Sequence, residues 1–203
     1  RFFICTRNLY PPRVIDTAGV LNLLHAYGWE ESEFPEKWVL EFNTYLQGIT
    51  VMSQFVKKIL IDNGVKIPIS VSGLGLDHID KIEAEYGINI ELKEYKILHV
   101  SSCFERKGID TLLKAYGQAF NIHDNVTLII KTFPNPHNKV NQILEELIKN
   151  NRLFPHVVII LDDYSDKQLK GLYLQSNLLV APSRGEGFGL PIGEAMRLGI
   201  PVI

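Results

Sequence analysis

The sequence predicts an α/β fold built on parallel sheets, and three observations predict it. Short runs of Val, Ile and Leu alternate with stretches of helical period. The runs are near-continuous, as strands buried on both faces require. A charged, glycine-bearing stretch with little apolar period, residues 74–95, separates two such series. The organisation expected is therefore residues 1–73, a linker over 74–95, and a second Rossmann-like domain over 96–203.

The first series starts with a strand over residues 1–5. "YPPR" (10–13) is a turn, because adjacent prolines continue neither regular structure. "VIDTAGVLNLLHAYGW" (14–29) has helical periodicity, weakened by its glycines. "PEKWVLEFNTYLQ" (35–47) reads as a helix with Pro at its first position and acids in its first turn. "GITVM" (48–52) is a short buried strand. Ser53 then caps a helix over 54–63, which Gly64 ends at the C′ position. "KIPISV" (66–71) is the next strand.

The second series repeats strand, loop and helix four times. Strands are expected at 96–102, 126–132, 156–161, 177–182 and 199–203. Helices are expected at 111–120 (capped by Asp110), 139–151, 167–176 and 191–198. This is a doubly wound domain, in which ligands bind beyond the C-terminal ends of the strands.

Composition narrows the function. The chain has 203 residues, 46 % hydrophobic and 22 % charged, with a formal net charge of −2. That is an ordinary globular balance, and it argues against a nucleic-acid partner. Only Cys5 and Cys103 occur, far apart, which fits a reducing cytoplasm. No apolar run approaches the roughly 18 residues of a membrane span. The chain starts without Met on "RFFI" and stops on "GIPVI", so a piece of a longer protein is expected.

The chemistry concentrates in "SRGEGFGLPIGEAMRLGIPVI" (183–203). Pro191 suits a helix start and Gly199 a helix end. Gly185, Gly187 and Gly189 let the backbone turn tightly and let a ligand come close. Amides near Gly189 and Leu190 would face an anion at the helix mouth. A strained turn without a ligand explains the same glycines. Glu186 and Glu194 are poor partners for phosphate but suit sugar hydroxyls. Glu194 also reads as an acid complementing the helix dipole. Arg106 and Lys107 follow a strand at the same sheet end, where two cations could neutralise a diphosphate. A solvated charged loop is the plainer reading.

Other patterns fail. "GLGLDH" has two glycines of a dinucleotide fingerprint, but His78 stands where the third is needed. There is no P-loop and no GxSxG elbow. Asp162, Asp163 and Asp166 read as turn and cap residues, and the six histidines lack metal spacing. His99 reads as a core or subsite residue, and Trp29 and Trp38 as packing.

With these residues in hand, the chain resembles the GT-B-fold retaining glycosyltransferases of family 4, the glycosyl transferases group 1. The resemblance rests on "EGFGLPIGE", a glutamate, seven residues and a second glutamate (the EX7E motif). "ILHVSSCFERKGIDTLLKAYGQAF" resembles the first strand, basic loop and helix of that family's nucleotide-sugar domain. "ITVMSQFVKKILIDNGVKIPISVSGLGLD" resembles the end of its acceptor-side domain and the start of the linker. The resemblance implies that 1–73 is the C-terminal part of the acceptor-side domain and 96–203 a truncated donor domain. The first half of the acceptor domain and the C-terminal end would lie outside the chain, and the piece alone would lack a complete site.

The resemblance also implies roles. Glu194 would bind the donor ribose, and Glu186 the hydroxyls of the donor sugar. The backbone of Gly187, Phe188, Gly189 and Leu190 would hold sugar and phosphate oxygens. Lys107 would stabilise the departing diphosphate without a metal or other cofactor. The family's arginine, five residues before that lysine, is replaced here by Ser102, and Arg106 stands beside Lys107 to take over. The implied activity is hexosyl transfer with retention. The donor would be a UDP- or GDP-linked sugar, and the acceptor a saccharide, lipid or protein. A cytoplasmic enzyme is implied, with peripheral membrane contact through regions outside the chain. Two other readings stay open. One is a non-catalytic nucleotide-binding or scaffolding module. The other is a different GT-B enzyme, such as a sugar-nucleotide epimerase or a phosphorylase.

Overall fold

Two all-parallel sheets of four strands each carry the fold of the computed structural model, which describes residues 3–87 and 91–203. Arg1 and Phe2 of the predicted first strand, and residues 88–90 of the predicted linker, lie outside those residues. Two compact units divide the chain. The first holds the residues up to Gly75 together with Gly185–Phe188; the second holds Leu76–Arg184 together with Gly189–Ile203.

In the first unit, β1 (Ile4–Arg7), β2 (Leu21–Tyr27), β3 (Gly48–Val51) and β4 (Ile69–Val71) lie side by side in that order. Helix α1 (Glu36–Tyr45) follows β2, and α2 (Gln54–Asp62) connects β3 to β4. Ser53 caps α2 as predicted, its Oγ accepting from the Val56 amide at 3.3 Å. Gly64 takes the left-handed conformation just past the end, with φ +97°. Leu24, Ile49, Val51, Val56 and Leu60 form the core with Phe42. Trp29 and Trp38 pack at its margin, edge-on to each other at 5.7 Å and against Phe34.

Residues 14–29 differ from expectation. The stretch read as helical contains strand β2. Its Leu and Ala residues are good helix formers, yet Asn22, Leu24 and Ala26 are buried with the period of two that a strand requires. Packing between β1 and β3 overrides the local preference. Near its end the strand bulges at Ala26, φ +46°, whose amide donates to Thr50 Oγ1 at 2.8 Å.

In the second unit a short helix, α3 (Asp77–Lys81), precedes the sheet. The strands are β5 (Tyr95–Val100), β6 (Val126–Lys131), β7 (His156–Ile160) and β8 (Leu178–Leu179), in spatial order β7-β6-β5-β8. Val202 extends the sheet by a single bridge to Leu179, where a full strand was expected. Helices α4 (Ile109–Ala119), α5 (Val140–Asn150), α6 (Asp166–Leu174) and α7 (Leu190–Arg197) complete the alternation. Alternate strand residues feed opposite faces. Ile97, Leu128 and Ile130 join a core with Leu113 and Tyr116 of α4 and Val140 of α5. Leu98, Ile129 and Ile160 join another with Leu172 and Tyr173 of α6 and Ala195 of α7.

Both tryptophans belong to the first unit, so their fluorescence reports on its unfolding alone. Phe42 is fully buried there and meets Tyr27 edge-on at 5.6 Å. Phe42→Ala should therefore cost about 3–5 kcal/mol. Urea titration followed by tryptophan emission should show a lower midpoint with an unchanged slope.

Candidate functional site

Strand order decides where the second unit can bind. β5 is followed in sequence by β6 and β7 on one side, and the chain then crosses to place β8 on the other. The connections leaving β5 and β8 therefore diverge at a topological switch point, where open α/β sheets hold ligands. The β5 connection carries Ser102, Arg106 and Lys107. The β8 connection leads through Gly189 and Leu190 into α7 and Glu194.

The β5 connection is a single 3₁₀ turn, Glu105–Lys107, running directly into α4. Asp110 was expected to cap α4. Gly108 holds that position instead, with φ +69°, and Asp110 lies within the first turn. A side chain at Gly108 would collide with the Pro182 carbonyl, so the two connections touch backbone to backbone. The Arg184 amide donates to the Arg106 carbonyl at 2.7 Å. The Arg184 guanidinium reaches Asp110 at 3.0 Å and Thr111 Oγ1 at 3.1 Å. Its hydrogen bonds hold the Asp110 carboxyl below the usual carboxylate range. Arg106 and Lys107 are both half-buried on this pinned turn. Ser102 is half-buried too, its carbonyl accepting from Asn135 Nδ2 at 3.0 Å.

Glu194 lies on the second turn of α7, which begins after Gly189 in the left-handed region (φ +79°) with Pro191 near its start. Its carboxylate is buried. Tyr173 Oη, from α6, donates to Oε2 at 2.9 Å. His78 Nε2, from α3, lies 2.8 Å from Oε1, which requires the ring proton on Nε2. Burial, first, and the facing Glu194 push the Tyr173 phenol far above its usual value, so it stays a donor. A carboxylate has about four acceptor directions, and these two bonds leave room for more. α3 is anchored in turn: Arg197 binds Asp80 with both carboxylate oxygens, and Lys170 Nζ donates to the Ile79 and Ile82 carbonyls at 2.7 Å.

His78 and Tyr173 are the residues that sequence reasoning missed. His78 entered only as the residue that breaks a dinucleotide fingerprint, and nothing local marks Tyr173. His99 is buried, with Nδ1 donating to the Val180 carbonyl at 2.8 Å and Nε2 paired with Ser101 Oγ at 2.7 Å. It holds β5 to the connection after β8. Ser165, not an aspartate, caps α6 through a capping box with Gln168. Among the described residues no three His, Cys, Asp or Glu side chains gather as a metal site would need.

Glu186, Gly187 and Phe188 belong to the first unit. There Ser53 Oγ, while capping α2, donates to the Gly187 carbonyl at 2.6 Å. Gly187 is buried, and Glu186 and Phe188 are half-buried. The Glu30 carbonyl occupies the space a side chain at Gly185 would need.

Parallel sheets, the strand order and the loops at the switch point define a Rossmann-like protein of the GT-B class. Solved structures agree. The chain superposes on sucrose-phosphate synthase from Thermosynechococcus elongatus with a TM-score of 0.71 at 21 % identity, covering 91 % of this chain and 50 % of that one. A glycosyltransferase from Rickettsia africae superposes with a TM-score of 0.68 at 23 % identity, over 89 % of this chain and 50 % of that one. A family model described as glycosyl transferases group 1 matches residues 80–203. The chain belongs to that family. Among relatives by sequence, an uncharacterised 41.2 kDa protein of the cps region in Klebsiella pneumoniae is 26 % identical over 182 residues, 83 % of this chain and 47 % of that protein. The chain thus spans about half the length of these proteins. Among the described residues no helix is long and apolar enough to cross a membrane.

Two substitutions test this architecture. Gly199 has φ +76° with open space around it, so Gly199→Ala should cost only the left-handed strain, about 1–2 kcal/mol. Gly108→Ala adds the clash with Pro182 and should cost about 2–5 kcal/mol. Far-UV circular dichroism in urea compares the two directly. Tyr173→Phe removes a donor to a buried carboxylate and should cost about 1.5–3 kcal/mol in the same assay.

Proposed function

We propose that the chain carries the donor side of a retaining hexosyltransferase, which moves a hexose from a nucleotide diphosphate sugar to a saccharide, lipid or protein acceptor. Family membership supports glycosyl transfer. The observation that carries the finer reading is the Glu194 carboxylate, buried at the switch point and oriented by Tyr173 and His78 with acceptor capacity left over. Such a group suits the paired hydroxyls of a ribose. In this reading Glu194 binds the ribose of the donor nucleotide.

Lys107 supplies countercharge as the diphosphate leaves, with Arg106 beside it in place of a cation at Ser102. That stabilisation grows as negative charge develops on the leaving group, so it lowers the barrier rather than only tightening binding. Amides at Gly189 and Leu190, at the mouth of α7, take phosphate or sugar oxygens. By the resemblance to family 4, Glu186 accepts from hydroxyls of the donor sugar and the Gly187 and Phe188 backbone holds sugar oxygens. The chemistry resembles that of family 4, metal-independent and with retention at the anomeric carbon. A cytoplasmic enzyme, in peripheral contact with a membrane where the acceptor is a lipid, fits this reading.

Calorimetric titration of the 203-residue chain with UDP and GDP tests the donor assignment. At least one should bind, and Glu194→Ala and Lys107→Ala should each weaken it tenfold or more. Absence of binding, or affinity unchanged by both substitutions, would overturn the reading. Retention is checked by NMR of the anomeric proton in the product formed by the longer protein.

A further inference from the structure

β7 is an edge strand, hydrogen-bonded to β6 alone. The Thr132 amide donates to the Ile160 carbonyl at 3.0 Å, so Ile160 turns its main chain toward β6. Main-chain direction alternates along a strand, so Val157 and Ile159 point their N–H and C=O groups away from the sheet. Among the described residues nothing hydrogen-bonds to these groups. β7 is also the longest edge strand among the described residues, and its register with β6 runs without a bulge.

Soluble proteins blunt such an edge with charged side chains, a proline or a bulge. The strand "HVVII" contains none of these, and its first four residues are only half-buried. Exposed apolar side chains flank it: Leu161 just past its end, and Ile148 of α5, which lines one cavity with Val157. The strand is nevertheless held in place. Tyr116 Oη donates to the His156 carbonyl at 2.9 Å, and Thr127 Oγ1 lies 2.9 Å from His156 Nδ1. A fixed edge loses little conformational freedom when a second strand joins it. Charge differs in sign at the two ends. Arg152 stands before the strand and Asp162 and Asp163 after it, all three exposed.

We infer that β7 is a dimerisation edge, along which two copies of this chain pair antiparallel about a two-fold axis and join their second sheets into one. With the axis beside Val158, Val157 of each copy faces Ile159 of the other, and each such pair exchanges both of its hydrogen bonds. Every outward N–H and C=O of the strand is then used. The antiparallel arrangement also sets Arg152 of one copy at the same end as Asp162 of the other, whereas a parallel one would bring like charges together. The contact is isologous, so it closes at two copies and leaves no further edge of this kind. The switch point between β5 and β8 lies two strands away in the sheet order, so the pairing does not occupy it.

Sedimentation velocity of the 203-residue chain should show a reversible dimer. Val157→Pro deletes one outward N–H per copy and should weaken dimerisation about tenfold or more, as the loss of two hydrogen bonds implies. Circular dichroism checks that this variant folds; if it does not, the two measurements that follow decide. Arg152→Asp and Asp162→Arg change exposed side chains and should each weaken the dimer, while the double variant should recover most of its affinity. Hydrogen exchange needs no substitution: the amides of Val157 and Ile159 should be protected at high concentration and lose that protection on dilution. A chain that stays monomeric up to its solubility limit overturns the inference. So does a dimer whose Val157 and Ile159 amides exchange as fast as in the monomer, or whose affinity is indifferent to both charge reversals. Association beyond two copies overturns it as well, because a two-fold pairing leaves no edge for a third.

Discussion

The second unit is organised around one close approach of two backbones. The carbonyl of Pro182 occupies the volume that any side chain at Gly108 would need. The turn holding Lys107 is therefore set against the connection that leads to α7. Arg184 reinforces the approach from its amide and its guanidinium. Neither the Glu105–Gly108 turn nor the segment Pro182–Arg184 can move far without the other.

Glu194 shows a second constraint. A buried carboxylate is costly unless its oxygens find partners. Here the partners come from two different helices, α3 and α6, and the carboxylate is held in one orientation before any ligand arrives. The neutral phenol suits this role. It contributes a hydrogen bond without competing charge, while His78 sits at the more exposed edge. The same residue that complements the dipole of α7 in a sequence reading thus acquires a shape-specific environment in three dimensions.

How much of this was legible in the sequence depends on range. Uninterrupted apolar runs such as "VTLIIK" identified the inner strands of the second sheet, because burial on both faces leaves no other pattern. Ser53 and Gly64 marked α2, because caps are local chemistry. The placement of Lys107 on a strand-end connection, and of Glu194 on the helix that follows another, came from element order alone. β2 was illegible, since its residues favour helix in isolation and only its neighbours make it a strand. Gly108 outcompeted Asp110 as the cap through a contact 74 positions along the chain, which local preference does not encode. His78 reaches Glu194 across 116 positions and Tyr173 across 21. A single sequence carries no signal for pairings of that range.

The anchoring of α3 has a consequence for how the unit breathes. Five residues are too few for a helix to persist on its own. The segment is held by the exposed Arg197–Asp80 pair and by Lys170 on two terminal carbonyls. Ion pairs at a surface weaken as salt screens them. The amides of α3 should then exchange with solvent through local openings well below the energy of global unfolding. Each opening detaches His78 from Glu194, so ionic strength becomes a remote lever on a carboxylate that salt itself does not reach.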